Sequence, residues 1–463
     1  MNGVHSDTKS NIFRAYDIRG IFNFDFDAED SRRIAIAISQ TMRPSSQIGV
    51  GRDIRPSSAE IHASVIEGLT YGKMIPVDLG VVPTPLLYYG VRNLHLSSGI
   101  MITASHLPPE WNGMKICDSG GIVQGYEDYL NKIEAKYASV TTATGQKESK
   151  PNFHAYKNSI NDYVSYISDS FHFNRDLKIV FDYGNSVTSL VLPKIISKLN
   201  IYAFSINDGL LEGSPNRPSE PREDTLIELR DAVLSSNSDL GIAYDGDGDR
   251  VAFVTKSGRI IASGDFIIPI FAHDKLVENP GAKIVIDTTC SNAVTNYIRK
   301  NGGLPVISKT GHTNVVRKVM SENAVFGGQY SGHMVFPENM NSDDAIYSSM
   351  KMIEILDKYG PDYLSDFLNT LPKRVQSGML EIPCKDSIKF WIVSQVIKKV
   401  KKLGYAYDLI DGIKVFKGDA WVLIRASNTS PIIRVKSEGD TEKEEESMLM
   451  LGESMVMEEM NGH

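Results

Sequence analysis

The feature that most constrains this 463-residue chain is an internal repeat. KIVFDYGNS begins at Lys178 and KIVIDTTCS at Lys283, so Lys178, Asp182 and Ser186 recur 105 positions later as Lys283, Asp287 and Ser291. Each copy is a short β-branched run that ends on aspartate, breaks in a polar turn and continues in a helix-compatible segment. A fainter copy begins at Ile48-Gly49-Val50-Gly51-Arg52-Asp53. Repeated strand-turn-helix units imply repeated α/β domains, because one unit cannot bury its apolar strand alone. In every copy a later strand leads into a polar loop: GIMITASH ending at His106, DLGIAYDGDGDR ending at Arg250, and AVFGGQYSGH ending at His333. Open α/β sheets gather their chemistry beyond the carboxyl ends of strands, so these loops are expected to serve one shared cleft.

The stretch Ser139 to Pro151 has the composition of a linker and sets the first boundary. The expected domains are 1–150, 151–258, 259–370 and 371–463. The last differs in texture, with short strands (Gly378 to Ile382, Ile413 to Phe416, Ala420 to Arg425, Ile432 to Ser437) around helices at Ser387 to Leu403 and Glu442 to Met460. That pattern reads as a separate α+β domain, whose final helix turns Met448, Leu451, Met455 and Val456 toward its own core. Earlier, Asp27 to Met42 reads as an amphipathic helix, and Ser57 or Ser58 as the cap of another running through Gly72.

Charge and cysteine usage exclude several classes. A net charge of -8 argues against nucleic-acid binding, and the one dense basic run, Lys398-Lys399-Val400-Lys401-Lys402, reads as a solvated helix face. Cys117, Cys290 and Cys384 are odd in number and far apart, which fits a reducing compartment and neither a disulfide framework nor a zinc site. The first residues, MNGVHSDTKSN, lack an apolar signal core, and nothing approaches the roughly 20 apolar residues that span a bilayer. The expectation is a cytoplasmic protein without membrane or nucleic-acid partners.

Asp245-Gly246-Asp247-Gly248-Asp249-Arg250 is the most informative motif. Carboxylates on alternate residues, separated by glycines that let the backbone curl, make an oxygen-rich seat for a hard divalent ion. A calcium EF-hand is excluded, since Arg250 stands where that loop needs glycine and Lys256 where it needs a bidentate glutamate. Ser105 follows a strand, with His106 and Lys115 near in sequence as proton carriers or charge partners. IFRAYDIRGIF sets Arg14, Tyr16 and Arg19 among apolar residues. RASNTSPIIR offers Arg425 and the donors of Ser427, Asn428 and Thr429, as in an anion-binding turn that Pro431 stiffens before Arg434. KTGHTN, with His312, and GGQYSGH, with Gln329, Ser331 and His333, suit a hydroxyl-rich ligand.

In this order, FRAYDIRG, TASH with the following P-P-x-x-NGxK, DGDGDR, TGH, GGxxSGH and RASNTxP closely resemble the α-D-phosphohexomutases over nearly the whole chain, in particular their phosphomannomutase/phosphoglucomutase branch. The resemblance implies three related α/β domains with mixed sheets and a smaller C-terminal α+β domain of TATA-binding-protein-like topology around a central cleft, the fourth domain closing over substrate. It implies a phosphoserine at Ser105, and Mg²⁺ on that phosphate with Asp245, Asp247 and Asp249. It places Tyr16, Arg19, His106, Lys115 and Arg250 near the transferring phosphoryl. His312, Gln329, Ser331 and His333 would hold the sugar, and Arg425, Ser427, Asn428, Thr429 and Arg434 its distal phosphate. The implied reaction moves phosphate between the 6- and 1-hydroxyls of mannose or glucose through a hexose 1,6-bisphosphate, in a monomer or weak homo-oligomer that meets only small sugar phosphates. Three aspartates and a phosphoserine of about -2 total about -5, and one Mg²⁺ leaves about -3 for arginine and lysine to balance. His106, Lys115 and Arg19 all stand open as proton carriers.

Two residues depart from the family pattern. Leu107 stands where asparagine usually follows the Ser-His pair, and Gln329 where the sugar loop usually has glutamate. An amide offers one acceptor and one donor where a carboxylate accepts from two hydroxyls, so sugar choice is open to change. A mutase for glucosamine or N-acetylglucosamine phosphate is the nearest alternative. A weakened mutase-like sensor and an aspartate-nucleophile phosphatase of the haloacid-dehalogenase type stand further off, the latter lacking a partner set for Asp245.

Overall fold

The computed structural model describes residues 12–140, 153–213, 215–428 and 430–462. The polar N-terminal stretch, most of the expected linker and Thr429 lie outside the described residues. The chain forms two compact units: residues 1–263 with 331–366, and residues 264–330 with 367–463. The expected third domain is therefore divided between them. Its GGQYSGH loop changes unit between Tyr330 and Ser331.

The first unit contains a six-stranded and a five-stranded sheet. In the first, the order is Ile18–Ile21, Trp111–Asp118, Ser98–Ile102, Gln47–Arg52, Ile75–Val81 and His154–Ala155. In the second it is Ile260–Ile261, Val251–Thr255, Leu240–Tyr244, Lys178–Asp182 and Tyr202–Ile206. Each centres on the repeated strand, which has a parallel neighbour on both sides, and each then adds an antiparallel strand. The copy in the second unit, Lys283–Asp287, likewise lies between parallel Leu304–Ser308 and Phe326–Gly328. Shared topology thus supports the repeat read from KIVFD and KIVID. Ser98–Ile102 and Leu240–Tyr244 are buried at every position, as strands covered on both faces must be.

Local chemistry sets the helix ends. Asp27 and Asp30 form a capping box that starts Ala28–Ser39, shorter at both ends than the expected helix. Ser57 precedes Ser58–Tyr71 but makes no side-chain cap, and the Ser58 hydroxyl donates instead to Asp53. In the first domain Ile34, Ile38, Ile61, Val65 and Leu69 meet Ile48, Val50, Ile100 and Ile102 in one core.

The C-terminal sheet of the second unit is antiparallel, with Ile432–Gly439 and Ala420–Ala426 at its centre and Ile413–Lys417 and Ala406–Asp408 following. Leu380–Pro383 and Val375–Gln376 both pair with Ile432–Gly439. Helices Lys389–Leu403 and Glu442–Asn461 cover it, with Met448, Met455 and Val456 buried and Leu451 packed against that core. In the basic run, Val400 is buried while Lys398, Lys401 and Lys402 are exposed, as a solvated face requires. The three cysteines are free and buried. No described helix is long and apolar enough to cross a membrane.

Asp344 caps helix Ala345–Tyr359 from a buried position, accepting from Tyr347 N at 2.9 Å, the Tyr163 hydroxyl at 2.8 Å and Asn339 Nδ2 at 3.2 Å. Burial outweighs these donors and pushes its carboxyl up to about 6. Between the usual carboxylate range and that value the folded protein holds a proton that the unfolded chain has released, so stability falls as pH rises through the window. Asp344→Asn should flatten that slope, which is on the order of 3 kcal/mol across the window for the parent. Urea unfolding of both proteins from pH 4 to 7 measures it.

Candidate active site

The Ser105 turn comes directly off strand Ser98–Ile102. Ser105 has φ of +52°, a left-handed conformation costly for a residue with a side chain. Its N–H donates to Thr103 Oγ1 at 2.9 Å. The turn aims Ser105 Oγ inward, where it donates to Asp245 Oδ2 at 2.8 Å and lies 3.3 Å from His106 Nδ1. Ser105 is 2% exposed.

Asp245, Asp247 and Asp249 sit in the hairpin between Leu240–Tyr244 and Val251–Thr255. Asp245 Oδ1 accepts the N–H groups of Gly248, Asp249 and Arg250 at 3.0, 3.1 and 3.2 Å, so this carboxylate organises its own loop. Gly248, at φ +78°, supplies the curl. Gly246 permits the approach to the serine, since a Cβ there would stand 2.6 Å from Ser105 O. All three carboxylates are buried, with candidate ligand oxygens within 4.8 Å of one another. Asp247 Oδ1 and Asp249 Oδ1 make no hydrogen bond among the described residues. Bare, converging carboxylate oxygens beside a serine hydroxyl fit a hard divalent cation.

Positive charge surrounds this trio. Lys115 Nζ, on strand Trp111–Asp118, donates to Asp247 Oδ2 at 2.7 Å and to Asp249 Oδ2. Burial pulls its ammonium down, but Asp247, Asp249 and Asp343 together hold it well above the usual lysine value. Burial and its two acidic neighbours push the Asp245 carboxyl well up, whereas Lys115, His333 and Arg250 overcome burial and hold Asp249 well down. Arg250 donates from Nε to His333 Nε2 at 3.0 Å and from Nη1 to Glu220 at 2.9 Å. His333 Nδ1 faces Asp343 Oδ2 at 3.1 Å and Asp249 Oδ1 at 3.7 Å. His106 is pushed well down by burial, then by Arg250 and Arg19.

The first unit thus brings together Ser105, His106, Lys115, Arg250, the aspartates and His333. Arg19 is buried against Asp17 at 2.5 Å and is close enough to His106 to repel its charged form. Tyr16 is half-buried just before it, and Ser331 is half-buried two residues before His333. In the second unit, His312 opens helix His312–Glu322 behind Gly311, and Gln329 is buried. Arg425 is also buried, with Nη1 3.5 Å from Asp411, and its Nε finds no hydrogen-bond partner among the described residues. Asp411 also accepts from Thr310 N at 3.2 Å, which ties the Arg425 strand to the KTGHTN loop. Ser427 Oγ accepts from Ser430 N at 3.1 Å in the turn holding Asn428, while Arg434 pairs across the ladder with Arg425 and bonds Glu381 at 3.1 Å.

Sequence reasoning missed four residues at this site. Thr84, in the VPTP turn, donates from Oγ1 to Asp247 Oδ2 at 2.6 Å, and Arg55 grips the serine loop. Both follow a strand of the first sheet, the one available signal. Asp343 and Glu220 carried none, because only folding brings them to His333 and Arg250.

Family models described as phosphoglucomutase/phosphomannomutase alpha/beta/alpha domains I, II and III match residues 10–144, 154–258 and 263–375, and the corresponding C-terminal domain matches 379–450. The chain belongs to this family. It is 34% identical to phosphomannomutase/phosphoglucomutase of Pseudomonas syringae pv. tomato, covering 94% of this chain and 92% of that protein. It is 32% identical to a probable phosphoglucosamine mutase of Methanopyrus kandleri, covering 86% of this chain and 87% of that one. The crystal structure of a phosphoglucomutase/phosphomannomutase family protein from Burkholderia thailandensis superposes with a TM-score of 0.84 at 29% identity, covering 97% of both chains. Family membership makes this chain an intramolecular phosphotransferase of the isomerase class.

Two substitutions probe the geometry. Lys115→Met leaves the carboxylates without their buried ammonium and should cost about 3–5 kcal/mol in metal-free urea unfolding. Gly246→Ala drives a methyl against Ser105 O and should cut mutase kcat by at least about tenfold, the expected consequence of moving reacting groups by an ångström. A coupled assay reads the second change.

Proposed function

We propose that this protein interconverts the 6- and 1-phosphates of mannose and glucose through a phosphoserine at Ser105 and a hexose 1,6-bisphosphate intermediate. The observation that carries the reading is the buried Ser105 hydroxyl 2.8 Å from Asp245, in a carboxylate trio balanced by Lys115. In the first step the bond from phosphorus to Ser105 Oγ breaks and one to a sugar hydroxyl forms, while the hydroxyl proton passes to a base. The bisphosphate then turns around and returns its other phosphate to Ser105.

The residues divide the work by charge state. Lys115, held protonated between two carboxylates, stabilises the negative charge that develops on the phosphoryl and serves poorly as a base. His106 Nδ1 lies 3.3 Å from Ser105 Oγ, within reach of the proton that moves as the phosphoryl transfers. Arg19 and Arg250 supply further positive charge. Asp245, Asp247, Asp249 and the serine phosphate would hold Mg²⁺, which when bound neutralises part of the charge on the phosphoryl oxygens. Arg425, Ser427, Asn428, Thr429 and Arg434 bind the distal phosphate, and Tyr16, His312, Gln329, Ser331 and His333 orient the sugar.

A second reading, turnover of glucosamine phosphates, rests on Gln329. Its amide in place of a carboxylate changes the donor pattern offered to sugar hydroxyls.

Intact-mass measurement after incubation with glucose 1,6-bisphosphate tests the phosphoserine. The parent should gain about 80 Da, one phosphoryl group, and Ser105→Ala none. Coupled assays with the 1-phosphates of mannose, glucose and glucosamine test the substrate, and absence of mannose 1-phosphate turnover would reject the leading reading.

A further inference from the structure

The side chain with the densest set of bonds beside this site has no part in the reaction above. Arg55 lies just beyond strand Gln47–Arg52, and all five of its guanidinium N–H groups are engaged. Nε donates to Asp53 Oδ2 at 3.1 Å. Nη1 donates to the carbonyls of Pro108 and Trp111 at 2.6 and 3.0 Å, and Nη2 to those of Ser105 and Leu107, both at 2.7 Å. Four of the five acceptors are therefore main-chain oxygens of one stretch, residues 105–111, that starts with the serine itself.

The grip is anchored on the other side. Asp53 also accepts from Arg55 N at 3.0 Å and from the Ser58 hydroxyl, and its N–H donates to Ile102 O at 3.0 Å, at the end of the strand that leads to Ser105. Buried Asn112 donates to the hydroxyls of Ser57 and Ser58 at 2.8 and 3.0 Å. The Ser57-Ser58 pair, read from sequence as a helix cap, belongs to this anchor.

Carbonyl dipoles that converge repel one another, and a serine at positive φ holds its conformation only where its surroundings impose it. Among the described residues, the local main-chain bonds within the loop are Leu107 N to Ala104 O and Trp111 N to Pro108 O. The Ser105 carbonyl is held between Arg55 on one side and Gly246, which approaches with no side chain, on the other. We infer that Arg55 is the positioning residue of the nucleophile: its planar fork gathers four loop carbonyls and so fixes the turn that aims Ser105 Oγ at Asp245. It acts through the main chain and touches neither sugar nor phosphate. Lysine cannot replace it, because three donors on one atom cannot span four carbonyls and Asp53.

The inference rests on Ser105 being the phosphorylated group, and the experiment separates the two. Parent, Arg55→Ala and Arg55→Lys are mixed with glucose 1,6-bisphosphate and Mg²⁺ in a rapid-quench apparatus, and the mass gain at Ser105 is followed in time. Steady-state kcat and KM and thermal unfolding are measured on the same proteins. In Arg55→Ala both the transfer rate and kcat should fall about 100-fold with KM changed less than about threefold, as for a misplaced reacting group. Arg55→Lys should fall nearly as far although it keeps the charge, and methylguanidinium should restore Arg55→Ala by at least about tenfold.

A parent labelled at Ser105 together with variants labelled equally fast overturns the inference alone. So does a loss of kcat that follows only the lost folded fraction, or one that methylguanidinium leaves unchanged. If Arg55→Ala does not fold, Arg55→Lys decides, and parental kcat in that variant overturns the inference. A parent that takes no phosphoryl at residue 105 overturns the phosphoserine reading and this inference with it.

Discussion

Three carboxylates buried within 4.8 Å of one another set the terms for everything around them. Such a cluster is unstable in a protein interior unless positive charge is supplied at hydrogen-bond range. Here the supply is layered. Lys115 contacts two members directly, Arg250 closes the loop itself and bonds His333, and Thr84 takes up Asp247 without charge. Lys115 and Thr84 come from elements distant in sequence, so the aspartate loop is secured partly from outside itself.

The same cluster explains why the serine turn is built as it is. A hydroxyl that must donate to Asp245 has to leave its strand at a sharp angle, and Ser105 does so in a left-handed conformation. The surroundings that impose it are polar and rigid: Thr103 below, Arg55 across the loop carbonyls, and a glycine of the aspartate loop against the serine carbonyl. Strain stored at a site persists only where neighbouring structure over-determines it.

Much of the fold was legible because its signals are local. KIVFD and KIVID are continuous apolar runs ending on aspartate, and both became central parallel strands with the same neighbours. The C-terminal strands and helices were found within a few residues for the same reason. Val375–Gln376 and Ala406–Asp408 were missed because strands of two or three residues carry no periodicity. Ser57 stands at the expected N-cap position of Ser58–Tyr71, but its hydroxyl accepts from Asn112 Nδ2 at 2.8 Å and makes no capping bond, a partner that only the fold supplies.

The sequence by itself determined the kinds of chemistry present: a hydroxyl after a strand, alternating aspartates separated by glycine, and an arginine at the head of a polar turn. These are properties of residue type and short spacing, and any fold must respect them. Only the tertiary structure decided which groups meet. That the Lys115 ammonium answers Asp247 and Asp249 across more than a hundred residues, that Asp343 faces His333, and that Arg55 spends four of its five guanidinium donors on carbonyls of the Ser105 loop are outcomes of sheet order and register. Proximity between distant residues is created by packing, and local pattern does not encode it.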